Sequence, residues 1–163
     1  MSSFQSCNYS IFNNEQKRFD NLLNICKNNT GKTIIYSRYK YITLLFSKLF
    51  NFEIQFSFIH SKYNSKYTDD DLEKFKKGET KILLCDKILP EYSEIDGLTN
   101  IICYDIDYEC LKFFNYNYNY NVFLTLLLLN NNNNSVLINL IKDDNVNISE
   151  NNEMCSQTAI EIM

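Results

Sequence analysis

The chain has 163 residues, 45% hydrophobic and 15% aromatic, with one proline and three glycines, so it can bury the core of one domain and is neither disordered nor fibrous. Its formal net charge of −4 disfavours strong binding to a nucleic-acid phosphate backbone. Among the 16 basic residues the only arginines are Arg18 and Arg38, which excludes a mechanism that needs an arginine further along the chain.

Apolar residues recur along the chain with the periods of helices and strands in turn. In chain order we predict helix 16–27, strand 33–36, helix 41–50, strand 53–59, helix 68–76, strands 81–85, 100–104 and 122–129, and helix 135–142. Thr68, followed by three aspartates, is typical of a helix N-terminus, where a Thr cap and acidic residues are stabilising. The alternation predicts an α/β fold with a mainly parallel sheet and helices on both faces.

A low-complexity segment rich in Asn and Tyr spans residues 115–134. A loop is the favoured interpretation of such composition. The alternation of Asn and Tyr at residues 115–121 is also compatible with a strand or an aggregation-prone patch. Its tyrosines are candidates for docking a partner, as tyrosines do at interfaces, or for filling space within a loop.

No segment of the sequence predicts secretion or membrane insertion. Residues 1–7 lack the basic and apolar regions of a signal peptide. The longest apolar run, residues 122–129, is far shorter than the roughly 20 residues of a membrane helix. We therefore expect a soluble intracellular protein, cytoplasmic or nuclear.

The six cysteines do not predict a metal site. None of them forms a C-x-x-C pair, and His60 is the single histidine. We expect free, mostly buried thiols, since cysteine packs as a small apolar side chain.

The triplet Gly31-Lys32-Thr33 resembles the end of a phosphate-binding P-loop. The pattern needs a glycine where Cys26 stands, and it needs a helix after the loop. Here a predicted helix precedes the triplet and a predicted strand follows it. The triplet therefore predicts the end of a helix before a strand.

Five short segments, residues 34–40, 59–60, 75–78, 82–85 and 102–105, follow one another in a telling order. These segments resemble five parts of the C-terminal RecA-like domain of superfamily 2 helicases, closest to DEAD-box RNA helicases. In chain order the parts are motif IV, the His-Gly segment, the F-x-x-G segment, the strand entering motif V and the I-N-Y-D strand end. Residues 122–125 and 145–150 extend this resemblance more weakly. Residues 146–147 and 157–160 also resemble part of an ankyrin repeat, but one repeat cannot bury its own apolar face.

The helicase resemblance implies a single RecA-like domain over residues 4–150 and a C-terminal tail at 151–163. In that family ATP lies between two RecA-like domains; the first carries the P-loop and the second an arginine finger. The chain starts just before the second domain, so we expect the first to be absent. The arginine-rich motif VI would fall between Asp105 and Val122, where no arginine stands.

Motif V also departs from the family. The resemblance places Asp86 where the family has a hydroxyl against a phosphate, and a carboxylate there is repulsive. It places Glu94 where a carboxylate reaches a ribose hydroxyl; a shift of two residues would place Asp96 there instead. Glu94 and Asp96 are therefore the candidate nucleotide-binding residues. Ser61 replaces the glycine that follows the histidine.

Candidate nucleic-acid contacts lie at the end of motif IV, where cations and aromatic rings stand together. They are Ser37, Arg38, Tyr39 and Lys40. A solvated strand end is the alternative, because two cations supply weak phosphate binding. The lysines between residues 74 and 81 are surrounded by carboxylates and predict a solvated helix face.

We therefore predict a degenerate helicase C-terminal-like module with no catalytic residue, metal or cofactor of its own. It is expected to bind a protein partner, or RNA weakly, and no membrane. The alternative is the second half of a split ATP-dependent RNA helicase, completed in trans by a P-loop helicase domain with ATP as cofactor. A relic without a role is a third interpretation.

Overall fold

The computed structural model describes residues 7–62, 65–87, 90–105 and 122–131. The strands are β1 (Cys7–Phe12), β2 (Lys32–Ser37), β3 (Ser57–Ile59), β4 (Ile82–Cys85), β5 (Leu98–Asp105) and β6 (Phe123–Leu129). The helices are α1 (Glu15–Asn28), α2 (Tyr39–Asn51) and α3 (Ser65–Lys77), and a short 3₁₀ helix spans Pro90–Glu94.

These strands form one parallel sheet in the order β1-β6-β5-β2-β4-β3. From β1 through β2 to β3 the chain moves across the sheet in one direction, with α1 and α2 on one face. It then returns, and α3 packs on the opposite face. Parallel crossovers are right-handed, so a reversal of direction moves the connecting helix to the other face. The prediction of a parallel α/β fold with helices on both faces is confirmed.

The central strand β2 divides the core into two layers. Every residue of β2 is buried, because β4 and β5 cover its edges and helices cover its faces. Ile35 joins the cluster formed with the apolar sides of α1 and α2. Ile34 and Tyr36 join the opposite cluster, which contains Phe75 of α3. This alternation follows from the period of two along a strand.

Three elements differ from the sequence predictions. The strand β1 was not expected, because only Tyr9 and Ile11 alternate in it, yet it pairs with β6 along its length. The strand β3 is shorter than residues 53–59. Helix α3 begins at Ser65, so the prediction that Thr68 caps its N-terminus is wrong, and the three aspartates fall in the second turn. One of them, Asp71, instead accepts a hydrogen bond from the main chain of β3.

That aspartate closes the edge strand β3. Among the strands that the structure describes, β4 is its one neighbour in the sheet. The main-chain N–H of Phe58 donates to the Asp71 carboxylate over 2.8 Å, so this amide turns away from β4 and is satisfied by a side chain. Such a contact removes a donor that an edge strand would otherwise present.

Several sequence predictions lie outside the described residues: helix 135–142, the alternating segment 115–121 and the tail from residue 151. Among the helices that are described, none is long and apolar enough to cross a membrane. Over the same ranges no group of three or more His, Cys, Asp or Glu side chains is placed to hold a metal ion. Cys26, Cys85 and Cys103 are free thiols, the last two buried.

Helix α2 ends in the pair of main-chain hydrogen bonds that defines a Schellman motif. The N–H of Ile54 donates to the Leu49 carbonyl at 3.1 Å, and the N–H of Glu53 donates to the Phe50 carbonyl at 3.0 Å. This termination places the residue after the cap in the left-handed region, and Glu53 has a φ of 59°. A side chain is strained there, whereas glycine is not.

We predict that Glu53→Gly raises the free energy of unfolding by about 1 kcal/mol, because glycine adopts this conformation without strain. Urea unfolding followed by circular dichroism measures the change. The matched control is Glu53→Gln, which removes the charge and keeps the strain, and should show no comparable gain. An equal gain in both variants would assign the effect to charge and contradict the prediction.

Candidate functional site

The carboxyl ends of the parallel strands meet at one edge of the sheet, where α/β proteins bind their ligands. In the order of the strands, this edge carries Asp105 at the end of β5, Arg38 after β2, Asp86 after β4 and His60 after β3. The candidate nucleic-acid residues lie here. We refer to this set as the carboxyl edge.

Arg38 and Asp105 join two neighbouring strands at the carboxyl edge. The Arg38 guanidinium lies 3.3 Å from the Asp105 carboxylate. The main-chain N–H of Arg38 also donates to the Asp105 carbonyl at 3.3 Å. The Arg38 side chain is 44% exposed and that of Asp105 only 11%. Half-exposed ion pairs of this kind contribute little to stability. The pair does, however, set a carboxylate beside the cation that would meet a phosphate.

The other candidate nucleic-acid residues do not add an exposed side chain to Arg38 among the residues that the structure describes. Ser37 is fully buried, and its hydroxyl donates to the Arg38 carbonyl at 3.3 Å. Tyr39 and Lys40 form the first turn of α2, and their side chains lie outside the described part of the chain. Arg38 is thus the one member of the predicted set whose described side chain faces solvent.

A second cluster at the carboxyl edge joins Asp86 to the turn after β3. The Asp86 carboxylate accepts hydrogen bonds from the Ser61 main-chain N–H at 3.0 Å and from the Ser61 hydroxyl at 2.9 Å. His60 Nδ1 lies 3.9 Å from the same carboxylate and accepts a hydrogen bond from the Lys62 N–H at 3.0 Å. His60 Nδ1 therefore carries a lone pair, and Ser61 is the closer partner of Asp86.

The sequence did not predict the Ser61–Asp86 contact. Both residues stand at positions that depart from the helicase pattern, and they lie 25 residues apart. The order of the strands would have predicted it: β3 and β4 are neighbours, so Ser61 and Asp86, which follow their ends, are placed to touch. A serine in place of the glycine of the helicase pattern gives Asp86 a hydroxyl donor within the chain.

The candidate nucleotide-binding residues lie away from Arg38. Glu94 ends the 3₁₀ helix and is exposed. Asp96 is also exposed and precedes Gly97, whose carbonyl accepts from the Lys32 N–H at 3.0 Å. Because Lys32 begins β2, Asp96 lies at the amino-terminal edge of the sheet, opposite Arg38. The structure does not bring these two candidate groups together.

The P-loop-like triplet has a different task. The Lys32 ammonium donates to the Lys76 carbonyl at 2.6 Å, in the last turn of α3, and the residue is buried. A cation is stabilising at a helix C-terminus. Helix α1 precedes Gly31 and strand β2 begins at Lys32, in the order that the sequence predicted for this triplet.

Arg18 forms a buried polar cluster beside the ends of β5 and β6. It is 1% exposed, and its guanidinium donates to the carbonyls of Tyr104 at 2.7 Å and Leu127 at 3.4 Å. It also pairs with Glu15 at 2.5 Å. The Tyr104 hydroxyl donates to the same Glu15 carboxylate, and the guanidinium lies 4.0 Å from the Tyr104 ring centre. This cluster ties α1 to two strands.

Burial raises the pKa of several acidic groups around these clusters. Burial and the hydrogen bond to Glu15 raise the pKa of Tyr104 far above its ordinary value, and burial does the same for Tyr92 of the 3₁₀ helix. The pKa of the Cys85 thiol is raised by burial at the end of β4. Burial raises the pKa of Cys26 to about 12.

We predict that Arg18→Met lowers the free energy of unfolding by about 3 kcal/mol, because it leaves Glu15 without its cation and removes the guanidinium donors from two strand carbonyls. Arg38→Met is the matched control: its pair is half-exposed and should cost under about 1 kcal/mol. Urea unfolding of both variants gives the comparison. Equal losses would contradict the assignment of Arg18 as the structural arginine.

We also predict that stability falls as the pH rises above about 8.5, where unfolded cysteines and then tyrosines begin to ionise. Their folded pKa values are raised, so the unfolded state loses protons first and gains stability with pH. Urea midpoints between pH 7 and 11 measure the slope. Tyr104→Phe should flatten it above about pH 10; an unchanged slope in this variant would exclude Tyr104 as a contributor.

Comparisons with known proteins agree with this geometry. The family model described as the helicase conserved C-terminal domain matches residues 15–125. Comparison with curated protein sequences gives no match. Solved structures of helicase domains, in contrast, superimpose over most of the chain.

The C-terminal domain of a Dbp5 variant from S. cerevisiae, bound to Gle1 and IP6, has a TM-score of 0.69 at 17% identity, covering 93% of this chain and 97% of that one. E. coli DEAD-box protein SrmB bound to RraA has a TM-score of 0.69 at 10% identity, with 83% and 82% covered. The Pyrococcus furiosus Hef helicase domain has a TM-score of 0.59 at 10% identity, with 76% and 27% covered. The predicted resemblance is confirmed: this chain belongs to the helicase conserved C-terminal domain family.

Proposed function

We propose that this chain is a non-catalytic helicase C-terminal domain that acts by binding a protein partner. The observation that carries the proposal is the engagement of both arginines by groups of the same chain. Phosphoryl transfer needs a fixed cation on the developing negative charge, and loss of an arginine finger costs about 10³–10⁵ in rate in well-studied GTPases.

Arg18 is unsuited to serve as that cation. Its guanidinium is enclosed by Glu15, the Tyr104 ring and two strand carbonyls, and the residue is 1% exposed. Reaching a nucleotide would require breaking this cluster and leaving Glu15 unpaired. The free energy involved is of the size of a buried ion pair, about 3 kcal/mol or more.

Arg38 faces solvent but meets an acidic surrounding. It is paired with Asp105 on the neighbouring strand, and Asp86 adds a second carboxylate to the same edge after β4. Carboxylates repel a phosphate that approaches within a few ångströms. Weak RNA binding through Arg38 fits this balance better than tight binding. Glu94 and Asp96 remain proposals for contact with a nucleotide hydroxyl.

Protein binding is supported by the relatives of this fold. The Dbp5 C-terminal domain is bound to Gle1 in its solved structure, and SrmB is bound to RraA. A helicase C-terminal domain therefore offers surfaces on which protein partners can dock. We propose the same use of the fold here, with RNA contact secondary.

A split helicase is the second candidate function, and the exposed Arg38 is the observation that favours it. In that case a P-loop domain supplied by another chain would bring the ATP site, and Arg38 would turn from Asp105 toward the bound nucleotide or RNA. The partner would also have to supply the arginine finger, which is a demanding requirement.

We predict no ATP hydrolysis above background by the purified chain, alone or with poly(U) RNA, because no arginine is free to stabilise the transferred phosphoryl group. Phosphate release is the measurement, repeated after addition of the P-loop domain of a DEAD-box helicase. RNA-stimulated hydrolysis by the chain alone would overturn the non-catalytic proposal.

Arg38→Ala separates the two candidate functions. If hydrolysis appears only with the added P-loop domain and is lost in Arg38→Ala, the split helicase is favoured. If it persists in that variant, the added domain acts by itself. The variant should fold normally, because Arg38 is half-exposed and contributes little to stability.

A further inference from the structure

An open groove lies at the corner of the sheet where the chain enters β3. It has a volume of about 790 Å³ and lies between the end of α2 and the segment that enters β3. Its apolar walls are Phe46, Phe50, Ile54, Phe56 and Phe58. Thr80, which precedes β4, and Asp71 of α3 complete one side.

The phenylalanines form one packed aromatic cluster around Phe46. Its ring centre lies 4.7 Å from that of Phe58, 5.2 Å from that of Phe56 and 6.4 Å from that of Phe50, which is parallel to it. The Phe50 side chain is nevertheless 68% exposed. A preformed aromatic wall with one exposed ring is the kind of surface on which an apolar anchor of a partner gains binding energy.

The charge of the groove is one-sided. Among the residues that the structure describes, its lining includes the acidic residues Glu53 and Asp71 and no lysine, arginine or histidine. Glu53 lines the groove from a left-handed backbone conformation that glycine would adopt without strain. An occupant that brings a cation beside its apolar anchor is therefore complementary to this surface.

The groove accepts side chains rather than an added strand. The Phe58 N–H, which an extended peptide would need as a donor at the β3 edge, is already taken by Asp71 at 2.8 Å. Strand addition relies on such main-chain hydrogen bonds. Recognition must then come from an anchor side chain in the groove and a charge on its rim.

We propose that this groove binds a short segment of a partner protein that carries a large apolar side chain next to a lysine or arginine. The inference deepens the proposed protein-binding function by naming the surface and the chemistry of the partner.

The test begins with selection of random twelve-residue peptides displayed on phage against the immobilised full chain. The expected result is enrichment of sequences with Phe, Leu, Ile, Met or Trp within two positions of Lys or Arg. Enrichment of peptides without a basic residue, or no enrichment at all, would overturn the proposal.

The best selected peptide is then measured by fluorescence anisotropy against four forms of the chain. Phe50→Ser should weaken binding at least about tenfold, the effect expected for an anchor contact. Glu53→Gly should weaken it about threefold, as loss of a rim charge does, and should keep or raise the melting temperature. Leu44→Ser, on the same helix and 40% exposed but outside the groove, should change nothing.

Each outcome has a separate meaning for the two proposals. Peptide binding that is unaffected by Phe50→Ser and Glu53→Gly, or that Leu44→Ser weakens equally, would overturn the groove and leave a protein-binding function intact. ATP hydrolysis by the chain alone would remove the non-catalytic proposal and leave the groove standing. Weaker binding in Glu53→Gly with preserved stability shows that the loss is not due to unfolding, which supports the groove.

Discussion

The buried guanidinium of Arg18 is the interaction on which the arrangement of the sheet depends. Its donors reach the carbonyls of Tyr104 and Leu127 on adjacent strands, and Glu15 in the first turn of α1 neutralises its charge. A buried cation must be paired and hydrogen-bonded, so this cluster holds α1 against β5 and β6. The strand β1 precedes α1 and pairs with β6 along its length, which completes the described sheet.

Local patterns in the sequence predicted much of this fold. Helix α2 and strand β2 carry strong periods of apolar residues, and both were found close to their predicted bounds. The strand β1 escaped because it owes its pairing to β6, more than a hundred residues away, rather than to its own sequence. The start of α3 was also not predicted correctly. Asp71, which was expected near the N-terminus of the helix, lies in its second turn and accepts a hydrogen bond from the amide of Phe58.

The candidate site shows the same division. Arg38 could be found from the sequence, because it follows a buried strand in a recognisable motif. The contacts that decide its use, with Asp105 and between Ser61 and Asp86, join residues 67 and 25 positions apart and follow only from the order of the strands. The chain has the scaffold of a helicase C-terminal domain, and at its carboxyl edge Arg38 pairs with Asp105 and Ser61 with Asp86.

The closed edge of β3 has a consequence for the behaviour of the protein in solution. An aromatic groove beside an open edge strand would invite copies of the chain to join sheet to sheet, and such growth leads to aggregation. With three residues in β3 and the Phe58 amide held by Asp71, that route is interrupted at its first hydrogen bond. The hydrogen bond from Phe58 to Asp71 therefore removes one donor through which copies of the chain could pair at β3.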